Sequence, residues 1–179
     1  MLNSQFKGRQ DEPGDPPSGS LLELLRSEGK PFRIPVVLCG KTEKIGSGVI
    51  AALKPEFEVV HFITTPASGA EILPALLAGR EPPSHPDSSS IGSGEYAETP
   101  RAVILGAAFD EEATQTLRKA VSEATGARTV PWLRHDASKP APPIGPEYGK
   151  AVVARVREVL ERLEGEGKLD GTYGEDVWY

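Results

Sequence analysis

The residues best suited to chemistry in this chain form a glycine-rich loop directly after a short apolar run. Backbone amides at the start of a helix, together with lysine side chains, can hold a phosphate because the positive end of the helix dipole faces the anion. We therefore expect a nucleotide or dinucleotide to bind here, with NAD(P) as the cofactor to test. The predicted binding residues are Gly40, Lys41, Thr42, Gly46, Ser47 and Gly48 in this loop, and Thr64 and Gly106 at the ends of two other strands.

The loop matches the known phosphate-binding patterns only in part. A Walker P-loop needs a second glycine five residues before its Gly-Lys-Thr, and Pro35 stands in that place. The dinucleotide pattern G-x-G-x-x-G is more compact than the spacing of Gly40, Gly46 and Gly48. The second predicted strand also ends without the Asp or Glu that binds a ribose. A glycine-rich turn that serves only tight packing is an equally open interpretation.

Three residues could take part in catalysis. Cys39 ends the first strand, where a helix N-terminus could activate a thiolate and His135 could act as its base. A buried, inert cysteine is the favoured alternative, because free cysteines are among the most buried residues. His135 is followed by Asp136, which could orient it as a general base. A surface turn in which Asp136 caps the following segment is the favoured alternative.

The remaining polar residues give no sign of a metal site or of one familiar kind of reductase. His61 lies within a strand and is expected to be a hydrogen-bonded structural residue, whereas His85 is expected to be solvated. Three scattered histidines and one cysteine lack ligand-like spacing. Tyr148 precedes Lys150 by two residues, not by the four of the Tyr-x-x-x-Lys pair of short-chain dehydrogenases. That spacing puts chemistry of that type in doubt.

Composition narrows the class of protein. The chain has 179 residues, 38% hydrophobic and 26% charged, which suits one globular domain. A formal charge of -6 argues against nucleic acid as a partner, because phosphate binding calls for a basic face. One cysteine, no apolar run long enough to span a membrane and no signal pattern predict a cytoplasmic protein without a membrane partner.

Alternating strand and helix patterns position these residues. They predict a Rossmann-like or flavodoxin-like α/β domain over residues 20–165, with a doubly wound parallel sheet in the order 2-1-3-4 and helices on both faces. The order reverses between strands one and three, so we expect a crevice beside the loops after Cys39 and Gly106. The predicted strands are 35–39, 58–64, 101–106 and 128–133, and the predicted helices are 45–53, 67–78, 111–124 and 147–163.

The amino-terminal segments leave two interpretations open. Residues 1–19 are polar and predict a flexible arm. A short helix follows, with Ser20 as N-cap and Gly29 as its stop. Its leucine stripe either covers an edge of the core or binds a partner, which includes a second copy of the chain.

Two other segments stand outside the regular pattern. The polar insert, residues 80–100, is too long for an ordinary connection and is either a lid anchored by Tyr96 or disordered. The tail, residues 166–179, concentrates three aromatic residues. We expect these to dock on the domain or on a second subunit, because exposed aromatic side chains are costly. They are Tyr173, Trp178 and Tyr179.

Four stretches, VVLCGKTEKIGSGVI, RAVILGAAFD, VPWLRHDASKP and GPEYGKA, carry a resemblance to known proteins. On these stretches, residues 33–163 resemble small fungal Rossmann-like proteins of unassigned activity, described as NAD(P)-binding-like. The resemblance implies the fold and no established reaction. Two functions stay open: a nucleotide-binding protein, which could be an oxidoreductase acting on a small molecule, and a non-catalytic α/β module that binds a metabolite or a protein.

Overall fold

The computed structural model describes residues 32–179, and the predicted arm and first helix lie outside that range. Five parallel strands form one sheet in the order β2-β1-β3-β4-β5. The strands are β1 (Ile34–Cys39), β2 (Phe57–Ile63), β3 (Val103–Leu105), β4 (Trp132–Arg134) and β5 (Asp176–Trp178). The helices of the described residues are α1 (Glu43–Leu53), α2 (Pro66–Leu77), α3 (Glu111–Glu123) and α4 (Pro146–Gly165).

This topology confirms the predicted doubly wound α/β fold, and its order is that of flavodoxin-like sheets. All six residues of β1 are buried, as expected for a parallel strand covered on both faces. Val36 and Leu38 pack in one core with α1 and α4. Val37 and Cys39 pack in the other with α2 and α3. The side-chain alternation of β1 therefore divides the interior into two cores.

The helix starts follow local capping rules. Thr65 accepts a hydrogen bond from the Ser68 amide at 3.1 Å and caps α2. Asp110 accepts from the Ala113 amide at 2.9 Å, which confirms it as the N-cap of α3. Pro74 lies inside α2, beyond the first turns where proline is tolerated best.

Several predicted element boundaries were wrong, and one strand was not predicted. Strand β4 begins after Pro131, which cannot donate to the sheet, and not at residue 128. Strand β5 was missed because three residues show no periodicity. In α4, Val156, Val159 and Leu163 are buried as their helical spacing predicts, and Tyr148 and Val152, which share that spacing, are only half-buried; Val153 and Leu160 complete the buried face.

The polar insert lies along the outer edge of β2. The Ser93 amide donates to the Val59 carbonyl at 2.9 Å, and the Gly94 amide donates to the Val60 carbonyl at 3.0 Å. These hydrogen bonds satisfy carbonyl groups that an edge strand would otherwise expose. The insert therefore covers the sheet edge, and no residue of it lines the crevice described below.

Two arginines hold β5 against the rest of the sheet. Arg134 is largely buried and donates to Asp176 at 3.1 Å and to Glu111 at 2.6 Å. Arg118 also donates to Asp176. The hydrogen bond from Arg134 holds the pKa of Glu111 below its ordinary value. Asp176 thus joins the tail to both β4 and α3.

The last aromatic residue of the tail is part of the core. Tyr179 is 1% exposed, and its hydroxyl donates to the Leu105 carbonyl at 2.7 Å. Its amide donates to the Arg134 carbonyl at 3.0 Å. This confirms the expectation that the tail aromatics dock on the domain. Trp178 stays half-exposed, with the Arg134 guanidinium over its ring.

We predict that Asp176→Asn lowers the free energy of unfolding by about 1–2 kcal/mol, because it weakens charge-assisted hydrogen bonds from two arginines in a partly exposed network. Glu175→Gln is the matched control: it removes the same charge from an exposed neighbour and should change stability by less than about 0.5 kcal/mol. Urea denaturation of both variants measures the difference. Equal losses in the two variants would contradict the role of Asp176.

Candidate functional site

A crevice with a volume of about 370 Å³ opens at the carboxyl ends of β1 and β3. This is the predicted place, beside the loops after Cys39 and Gly106. Helix α1 leaves β1 toward one face of the sheet and α3 leaves β3 toward the other, which keeps the space between them open. The walls are mostly apolar and include Leu38, Val49, Phe62, Ile104, Val152 and Val156.

The structure brings together only some of the predicted binding residues. Those that line the crevice are Gly40, Lys41, Thr42, Gly46 and Gly106. Ser47, Gly48 and Thr64 do not line it. The Thr64 hydroxyl donates to the Asp87 carbonyl at 2.9 Å, so it is turned toward the insert.

The glycine amides are engaged within the protein. Gly40 donates to the Ile63 carbonyl at 3.0 Å, which extends the pairing of β1 with β2. Gly46 donates to the Thr42 carbonyl at 3.0 Å, the first hydrogen bond of α1. Gly106 donates to the Cys39 carbonyl at 2.8 Å. These amides are therefore not open to a phosphate, which was the role predicted for Gly40 and Gly46.

Packing explains why glycine occupies the loop. A Cβ atom at Gly46 would lie 2.7 Å from the Phe62 ring, and one at Gly40 would lie 3.2 Å from it. Cβ atoms in proteins essentially never come as close as 2.7 Å to another side chain, and the Phe62 ring is held in the core with little room to move. Gly48 has no neighbour within 4 Å of that position. Gly46 thus permits the close approach of α1 to β2.

The charges at the crevice favour an anion. Lys41 is the charged residue among those that line it. Glu43, the acidic residue of the loop, accepts a hydrogen bond from the Ser89 hydroxyl at 2.6 Å and does not line the crevice. Thr42 makes no side-chain cap on α1, so its hydroxyl faces no helix amide. The polar part of the crevice is therefore positively charged.

Cys39 lines the crevice but is a poor nucleophile. The residue is fully buried, and burial raises the pKa of its thiol well above the ordinary value. A thiol that stays protonated at neutral pH does not attack a substrate. The structure thus confirms that Cys39 is buried, as the favoured interpretation expects.

His135 and Asp136 do not form a catalytic pair. The Asp136 carboxylate accepts hydrogen bonds from the Ser138 amide at 3.0 Å and from its hydroxyl at 2.6 Å, which confirms the surface-turn interpretation. The His135 ring lies edge-on to Tyr179, with 5.8 Å between ring centroids. Burial and the charge of Arg155 lower the pKa of His135, while Asp136 opposes that shift. Neither member of the predicted pair lines the crevice.

The other histidines have structural surroundings. His61 is buried and shares a 2.7 Å hydrogen bond with the Tyr96 hydroxyl, and burial lowers its pKa. Tyr96 therefore anchors the insert to β2. His85 accepts from the Asp87 amide at 3.0 Å. Across residues 32–179, no group of three His, Cys, Asp or Glu side chains could hold a metal ion, and none of the helices there is long and apolar enough to cross a membrane.

A comparison with curated proteins places the chain among relatives. It is 36% identical over 150 residues to "Kojic acid related protein 6" of Aspergillus oryzae, an alignment that covers 82% of this chain and 89% of the relative. The chain belongs to the family of that protein. No protein-family model matches the chain. No solved structure matches it either.

Sequence reasoning missed two thirds of the residues that line the crevice. Phe62 lies within β2, where only the residue that follows the strand, Thr64, was expected to reach the site, and Tyr179 follows β5, a strand that was not predicted. Tyr148 and Val152 lie four residues apart, which is also the spacing of an ordinary core stripe, so the sequence does not mark them as site residues. Ile144, in the loop before α4, is 83% exposed and stands at the rim. No pattern in the sequence separates these residues from core or loop residues.

We predict opposite effects for two substitutions in α1. Gly46→Ala should destabilise the protein, because its Cβ would press on the Phe62 ring. Gly48→Ala enters open space and should raise the free energy of unfolding by about 0.5–1 kcal/mol, the usual gain of alanine over glycine within a helix. Thermal and urea denaturation measure both. Stabilisation by Gly46→Ala would overturn the packing explanation for that glycine.

Proposed function

We propose that this protein binds a small organic molecule in the crevice at the carboxyl ends of β1 and β3. The observation that carries this proposal is the crevice itself, an open space of about 370 Å³ at the topological switch point of the sheet. Its apolar walls and few polar groups are typical of small-molecule sites. The proposal assigns binding and no reaction.

The contacts favour a compact metabolite over a dinucleotide. Gly40, Gly46 and Gly106 have already committed their amides, so a pyrophosphate could not use these three glycine donors. Thr64, the residue after β2, is turned toward the insert and offers no carboxylate for a ribose. The predictions that a nucleotide or NAD(P) binds, and the resemblance to Rossmann-like proteins, remain hypotheses. The binding experiment below tests the ligand predictions.

The relative supplies one compound to test. Its name connects that protein with kojic acid, a small single-ring compound, and nothing in the name states how. A ring of that size suits a crevice of this volume. Kojic acid therefore belongs in a binding panel beside NAD, NADP, FMN, AMP and single-ring metabolites.

Thermal shift and ¹⁵N-HSQC titration with this panel test the proposal. A compound present at a hundredfold its dissociation constant should stabilise the protein by about 2.7 kcal/mol. Its amide shifts should centre on Gly40, Thr42 and Gly106. Ala107→Trp, at an exposed residue that lines the crevice, should abolish the effect.

Ala137→Trp is the matched control, because Ala137 is exposed in the loop after β4 and does not line the crevice. It should leave binding unchanged. The proposal fails if no compound of the panel binds, or if Ala107→Trp binds as well as the wild-type protein.

A further inference from the structure

We infer that the ligand of the crevice is a monoanionic organic acid with an apolar ring, held at its charged end by Lys41. This inference rests on the proposed function and specifies its ligand. It follows from the chemistry of the walls, from the kind of polar groups among them and from the charge of the loop.

The apolar walls of the crevice favour a ligand with an apolar body. Phe62, Ile104 and Val156 form the interior, and none of them offers a polar side-chain atom. At the rim, Ile45 is 38% exposed and Ile144 is 83% exposed. A ring that packs on the buried interior and reaches the rim removes the exposed apolar area of Ile45 and Ile144, and its own, from water.

The polar side chains of the crevice can all donate a hydrogen bond, and the ammonium of Lys41 can only donate. Thr42, Tyr148 and Lys41 line the crevice, and none of their side chains has a hydrogen bond or ion pair within residues 32–179. The Tyr179 hydroxyl is already used by the Leu105 carbonyl. A set of uncommitted donors calls for a ligand that brings acceptors.

The lack of carboxylates among the described residues that line the crevice indicates that the ligand carries a negative charge. Within residues 32–179, no Asp or Glu lines the crevice, and the acid of the loop, Glu43, accepts a hydrogen bond from Ser89 at 2.6 Å. Lys41 is therefore not neutralised by a neighbour. An anionic acceptor would form a charge-assisted hydrogen bond there, whereas a neutral acceptor would form a weaker one.

The number of positive charges at the crevice indicates how many negative charges the acid group carries. One lysine balances one negative charge, and the glycine amides that could have shared a phosphate donate within the protein. A carboxylate, or the oxygen of an ionised enol or phenol, matches this arrangement better than a phosphate. The structure thus selects a single-charge acid on a ring.

A pair of probes that differ only in charge tests this inference. ¹⁵N-HSQC titrations of the full chain with 2-naphthoate and with 2-naphthamide should both shift the amides that surround Phe62 and Ile104. Naphthoate should bind about five- to tenfold more tightly, the range expected for a partly exposed charge-assisted hydrogen bond. Lys41→Gln should remove that advantage and leave the affinity for naphthamide unchanged.

Lys44→Gln is the matched control, because Lys44 lies in the same loop region and does not line the crevice. It should keep the preference for naphthoate. Equal binding of the two probes, or a preference that survives Lys41→Gln, overturns the acid and leaves crevice binding intact. Binding of AMP or NAD at the crevice without binding of naphthoate also overturns the acid. No binding by either probe or by any panel compound overturns the proposed function as well.

Discussion

The crevice depends on the constraint that β1 and β3, neighbours in the sheet, send their chains to opposite faces. Helix α1 packs with α4 over one face, and α3 packs with α2 over the other. Helices that diverge in this way cannot cover the strand ends between them. Each further property of the site, from its apolar walls to its single lysine, depends on what other elements place around that gap.

Two distant elements shape the gap into a site of defined size. Helix α4 brings Tyr148 and Val152 to one wall, and β5 brings Tyr179, whose hydroxyl is fixed on the end of β3. The position of Tyr179 depends in turn on the arginines that hold Asp176. The tail therefore forms one wall of the crevice, and the shape of the site depends on how the tail packs.

The sequence predicted the architecture and the place of the crevice because both follow from local patterns. The continuous apolar run from Ile34 to Cys39 indicated a strand buried on both faces, and the glycine after it indicated a turn at a strand end. The character of the site was beyond such patterns. Gly46 could be needed to bind a phosphate or to make room for an aromatic ring. The answer depends on Phe62, which lies on β2 and comes close to Gly46 only in the folded sheet.

The central claim is that an open, apolar space lies between the ends of β1 and β3, and xenon under pressure tests it most directly because xenon occupies apolar cavities. In crystals of the full chain, anomalous scattering should place xenon beside Phe62, Ile104 and Val156. A crystal without xenon at that place, with the side chain of Ile144 or Tyr148 filling the space, would contradict the account.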